Sequence, residues 1–272
     1  MIGYVFIFFI LLLEGIYFTA YNLQNAYPLF GTTLSAVTFI FLILVPVLTM
    51  KTIAEERKQK TDQLLLTAPV SVSEIVLGKF LAVATVYAIP VLIICLYPMI
   101  MGKYGTVSYA MAYTAVLGFA LLGFAQIAVG VFWSSVTENP VIAAVVTFIV
   151  LFVCYMITGI GSLIPDSSMA SLACYMLLVL LAAVWIYHMI RNLWIAAVIG
   201  IAGEAAFAIT YVVKSTLFEG SIQKFLSVFD ITSHFDNFTN GILDLQGVVY
   251  FLSVIIIFLV LTVQTITKRR WN

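Results

Sequence analysis

A bundle of α-helices that crosses a lipid bilayer is the fold class this sequence predicts, and three observations predict it. Of 272 residues, 64% are hydrophobic and only 9% are charged, with a mean hydropathy of +1.16. A soluble domain carries about 25% charged residues, so no water-facing shell can be built around this much apolar surface. The apolar residues gather in stretches near the length of roughly 20 residues that a helix needs to cross the hydrocarbon. The apolar/polar alternation of a membrane β-barrel is absent from them.

Eight such stretches follow one another: 2–21, 33–50, 75–101, 109–133, 140–163, 171–190, 193–213 and 248–266. The first has no basic lead-in and exceeds the apolar length of a signal peptide, so it reads as a retained span. Between the second and the third, Ser71 and Glu74 stand at capping-box spacing and Val70 and Ile75 at staple positions, fixing where the chain re-enters. Asn139 before Pro140 reads as an N-cap followed by proline in the first turn. The sixth and seventh stretches hinge on Arg191-Asn192 and form a hairpin. Residues 214–247 alternate Phe218, Phe225, Phe229, Phe235 and Phe238 with polar residues, as an interfacial or re-entrant helix pair does.

Lysine and arginine set the orientation. Lys51, Arg57, Lys58, Lys60, Lys79, Arg191, Lys268, Arg269 and Arg270 share one side, which becomes the cytoplasmic one and takes both termini. Lys103, Lys214 and Lys224 are left on the other side, along with Asp166, Glu219, Asp230, Asp236 and Asp244. The formal net charge is zero, so no basic field argues for nucleic acid. Cys95, Cys154 and Cys174 stand singly in apolar runs and read as buried thiols.

The one long cytoplasmic segment is 51–73. Glu55, Glu56, Arg57 and Lys58 carry charge out of the second span; Thr61 or Asp62 caps a short helix containing Leu64, Leu65 and Leu66, which Pro69 stops. Three consecutive leucines in water need a surface. They lie in the lipid interface or under their own bundle, or they dock into a groove on a soluble protein.

This segment resembles the cytoplasmic coupling segment of ABC type-2 exporter permeases, in particular the branch that includes the gliding-motility permease. The residues carrying the resemblance are Glu55-Glu56-Arg57, Thr61, Leu64-Leu65-Leu66, Pro69-Val70-Ser71 and Glu74-Ile75-Val76-Leu77-Gly78-Lys79-Phe80. Lys60 replaces that pattern's glycine, and Gln63 stands where glutamate is common. Two later blocks are similar to the same branch: Ser134-Ser135-Val136-Thr137-Glu138-Asn139, and the final run from Ser233-His234-Phe235 through Val249-Tyr250-Phe251 to Lys268-Arg269-Arg270-Trp271. The chain begins inside a run that in this branch follows a basic elbow helix.

The resemblance implies an ABC type-2 permease-like bundle in a single domain, a six-span core with 171–213 as an inserted hairpin. It also implies that Glu55, Glu56, Arg57, Thr61, Leu64, Leu65, Leu66, Pro69, Ser71 and Glu74 meet a soluble ATPase subunit. That subunit would hold the ATP and magnesium, a second permease copy would complete the assembly, and the bacterial inner membrane would be its place. No phosphate-loop motif occurs here, since Gly78-Lys79 lacks the glycine five residues earlier.

Glu14 and Glu204 are the carboxylates inside apolar spans. Such a group marks a pathway, or it holds two helices together. The first alternative admits an ion-coupled carrier as a rival function; a non-transporting anchor subunit is another. An intramembrane enzyme is disfavoured, because no Ser–His or metal pair accompanies either glutamate. His188 reads as an interfacial residue. His234 with Asp230 and Asp236 makes a poor metal set and reads as helix packing. Asn237-Phe238-Thr239 matches a glycosylation sequon.

Overall fold

The computed structural model describes residues 2–62, 70–190 and 192–270, and every regular element among them is helical. Leu64, Leu65, Leu66 and Pro69 lie outside the described residues, as do Arg191 and Trp271, and nothing is described of the His188 side chain. In chain order the helices are α1 (Ile2–Tyr17, running on as a π-helix over Phe18–Gln24), α2 (Phe30–Thr49), α3 (Ala54–Lys58), α4 (Val72–Ile94), α5 (Tyr97–Met101) and α6 (Tyr109–Val136). There follow α7 (Pro140–Ser162), α8 (Ser168–Ile190), α9 (Leu193–Val213), α10 (Ser221–Ser227), α11 (Ser233–Thr239) and α12 (Leu245–Arg270).

Six helical segments are long and apolar enough to cross a membrane: Ile2–Gln24, Phe30–Lys58, Val72–Met101, Tyr109–Val136, Pro140–Ser162 and Leu245–Arg269. A seventh is added if Ala197–Val213 and Ser215–Ser227, bent by 117° at their junction, count as one span. The eight expected stretches are therefore six or seven among the described residues. The difference lies in the hairpin of α8 and α9, whose helices are not among the six. The molecule is a multi-pass helical membrane protein.

The chain divides into two compact units, Met1–Val153 with Ile231–Asn272, and Cys154–Asp230. In the first unit α6 is the centre. Three of its glycines each admit a different neighbour: Gly118 faces Phe235 and Phe238 of α11, Gly123 faces the Tyr87 ring of α4, and Gly130 faces Thr49 of α2. Small residues let helix backbones approach where lipid supplies no hydrophobic driving force between helices. Tyr87 then donates its hydroxyl to the Phe119 carbonyl at 2.7 Å, and Phe41 lies 4.8 Å from the Phe119 ring. At the α1–α2 corner, buried Asn22 accepts from Thr33 at 2.6 Å and donates to the Tyr27 carbonyl at 2.8 Å. His234 stacks on Tyr250 at 3.8 Å, so α11 packs on α12. Asp244 accepts from the Asn237 amide and from the Gln246 N–H, both at 2.9 Å, and these bonds, the Asn237 one foremost, hold its carboxyl below the usual carboxylate range.

The second unit is held by aromatic contacts and two loop bonds. Tyr175 stacks on Phe207 at 5.1 Å and meets Phe218 edge-on. Gln223 donates to the Ile164 carbonyl at 2.9 Å, and Thr158 hydrogen-bonds Asp230. Gly203 of α9 faces Val179 of α8, which brings the two arms of the hairpin together.

Candidate functional site

The best-organised polar structure in the first unit lies where α2 leaves the apolar region. The chain turns after Thr49 and starts α3, whose first N–H groups have no partner inside so short a helix. Ser134, in the last turn of α6, supplies one. Its Oγ accepts from the N–H groups of Ile53 and Ala54, each at 3.1 Å, and donates to the Met50 carbonyl at 3.1 Å.

One turn into α3, Arg57 is buried. Its Nη1 donates to the carbonyls of Ser135 (2.7 Å) and Thr137 (2.9 Å), and its Nη2 to Glu138 Oε1 at 2.8 Å. The last carbonyls of a helix lack intrahelical partners and carry partial negative charge, so a guanidinium satisfies both needs there. Arg269 of α12 donates to the Val136 carbonyl, between these two, at 3.3 Å. The end of α6 is thus grasped by an arginine from α3 and another from α12.

A second ion pair fixes α3 to α4. Lys79 pairs with Glu56 and donates to the Thr52 carbonyl at 3.0 Å. Glu55 stays at the surface with Lys51 at 3.8 Å and accepts from Gln59 at 2.9 Å. A pocket of about 30 Å³ remains among Glu56, Arg57, Asp62, Lys79 and Arg269. Thr61 donates to the Glu56 carbonyl at 3.2 Å. Where the described chain resumes, Ser71 and Glu74 make the reciprocal capping box of α4: Ser71 N–H to Glu74 at 3.0 Å, and Glu74 N–H to Ser71 at 3.3 Å.

Glu55, Glu56, Arg57 and Thr61 are therefore gathered on one short helix and its exit, and Ser71 and Glu74 close the far side of the segment. Reading the sequence assigned no partners to Arg57; it placed Ser134 and Glu138 in a resembling block, and Lys79 and Arg269 in such blocks and among the cytoplasmic charges, without joining any of them to α3. A signal was present in the adjacent serines at the end of a long apolar run, where hydroxyls otherwise have nothing to bind. Lys60 adopts φ 59°, the left-handed region that favours glycine. That conformation explains why the resembled pattern has glycine there.

The intramembrane glutamates sit in different units. Glu14 of α1 is fully enclosed, and neither of its oxygens has a hydrogen-bond partner among the described residues. Its ionisable neighbours are Tyr87 and Tyr97. Glu204 of α9 is half-buried and lines a groove beside α8.

The model of a known family, described as ABC-2 family transporter protein, matches residues 6–269. No curated protein and no solved structure matches the chain.

Proposed function

The chain belongs to the ABC-2 transporter family, and we propose that it is the membrane-spanning permease of an ATP-driven exporter, close to the gliding-motility branch, whose ATPase is a separate soluble protein. Two permease copies and two ATPase subunits make the working assembly, in a bacterial inner membrane with both permease termini in the cytoplasm. The ATPase holds the ATP and magnesium. Residues 63–69, with their three leucines, are the part of the coupling segment that docks.

The observation that supports this reading most directly is the Arg57 anchorage. A segment that receives a push must be tied to the spans, and α3 is tied to the ends of α6 and α4 by Arg57, Ser134 and Lys79. Closure of the ATPase pair on ATP binding displaces the segment, and those ties carry the displacement to α6. The free energy comes from the difference in ATP affinity between the two states. The alternative is an ion-coupled carrier using Glu14 and Glu204; Glu14, enclosed and with no hydrogen-bond partner among the described residues, is the feature that favours it.

The test is a pull-down of the soluble ATPase with wild type and Leu65→Asp. A charge at the centre of an apolar contact is not solvated there, and the loss reaches several kcal/mol at an interface hot spot. The variant lies outside the spans and is expected to insert at normal levels while losing the ATPase. Equal retention by both chains, or no ATPase bound to wild type, removes the coupling role from this segment.

A further inference from the structure

The groove beside Glu204 belongs to the second unit and plays no part in the coupling site. It is lined at helical spacing from both arms of the hairpin: Leu180, Val184 and Tyr187 of α8, and Ala197, Ile201 and Glu204 of α9. On each helix these are positions i, i+4 and i+7, so two continuous faces form its walls. Gly200 makes the floor, where a Cβ would come within 3.1 Å of the Ala183 Cβ. The cavity measures about 290 Å³ and is open along one side.

Among the described residues of that lining Glu204 is the single charged group, and no hydrogen bond or ion pair from them reaches it. A carboxylate facing an apolar groove in a membrane is costly by itself, and ligand counter-ions are among the recognised uses of such groups. We propose that this groove binds a lipophilic organic cation: an apolar body against the aliphatic walls and its positive charge against Glu204.

Two features exclude other occupants. One carboxylate falls far short of the six to eight oxygens a calcium ion takes, or the octahedron magnesium demands. A neutral apolar molecule fills the walls but leaves the carboxylate unpaired. Charge and apolar body together meet both needs.

The experiment uses the full chain in phosphatidylcholine nanodiscs, with tetraphenylphosphonium as the probe and tetraphenylborate as its anionic counterpart of similar shape. Wild type is expected to bind the cation saturably and not the anion. Glu204→Gln, nearly isosteric, is expected to weaken cation binding by about tenfold or more, and Glu204→Asp to retain most of it. Size-exclusion profiles matching wild type establish that the variants are folded. Equal affinity of wild type and Glu204→Gln overturns the proposal. So does an absence of saturable binding, and a Val184→Cys variant that cross-links to a second copy would then identify the groove as an interface. None of these readouts involves the ATPase, so the result is independent of the coupling assignment.

Discussion

Arg57 makes three contacts of different worth. Its carboxylate partner, Glu138, is largely exposed, and exposed ion pairs contribute about 0–1 kcal/mol. The two carbonyls it serves are main-chain groups at a buried helix end, and leaving such a group unpaired costs about 1–3 kcal/mol. Arg57→Ala is therefore expected to destabilise the solubilised protein by about 2–4 kcal/mol, and Glu138→Gln by less than about 1 kcal/mol. Thermal unfolding in detergent measures both; comparable losses would mean that the ion pair holds α3. Glu14 presents the opposite situation, a buried polar group with no hydrogen-bond partner to lose among the described residues. Glu14→Leu removes a desolvation cost of about 1–3 kcal/mol and is expected to raise the melting temperature. Glu14→Gln is expected to leave stimulation of the ATPase unchanged. Loss of that stimulation in a normally assembled complex would favour the ion-coupled rival.

At the scale of elements, the spans were legible and their arrangement was not. The spanning helices are about equally apolar, yet 72% of the most apolar stretch of α6 is buried against 17% of that of α7. Lipid is as apolar as a protein core, so hydropathy cannot separate a central helix from a peripheral one. The distinguishing signal was the small residues of α6, Gly118, Gly123 and Gly130, which acquire meaning only with a neighbour for each. The capping residues Ser71 and Glu74 were readable because a cap is local, spanning four residues of chain. The Arg57 network was not, because its partners lie about eighty residues away. Helix approach can be tested at Gly31 of α2. A Cβ there would run into the backbone of Thr239, which cannot rotate aside as a side chain would. Gly31→Ala is expected to cost at least about 1–3 kcal/mol through overpacking. Gly78→Ala, on open surface of α4, should be neutral or slightly stabilising by helix propensity. A chemical or thermal melt of the pair decides it; a harmless Gly31→Ala would mean that α2 and α11 are not in close contact.

For the whole molecule, the open question is how many times the chain crosses. The arms of the hairpin, α8 with 23 residues and α9 with 21, have lengths of about 34 and 31 Å at 1.5 Å per residue, enough for hydrocarbon about 30 Å thick. Between them Asn192 is exposed and accepts from the Trp194 N–H at 3.0 Å, a cap of the kind that starts a new helix rather than continuing one. If both arms cross, Asn192 faces the side that carries Lys51, Lys58 and Arg269; if the hairpin lies on the membrane surface, it faces the other. Asn192→Cys, in a background with Cys95, Cys154 and Cys174 replaced, is expected to resist an impermeant thiol reagent added to intact cells and to react once the cells are opened. Lys103→Cys, in the turn after α5, is the opposite-side control and is expected to label from outside. Net lysine and arginine placement favours this outcome, because short loops rich in these residues are held in the cytoplasm. Ready labelling of Asn192→Cys from outside, alongside the Lys103→Cys control, would return the chain to six crossings, with the hairpin laid against the outer face.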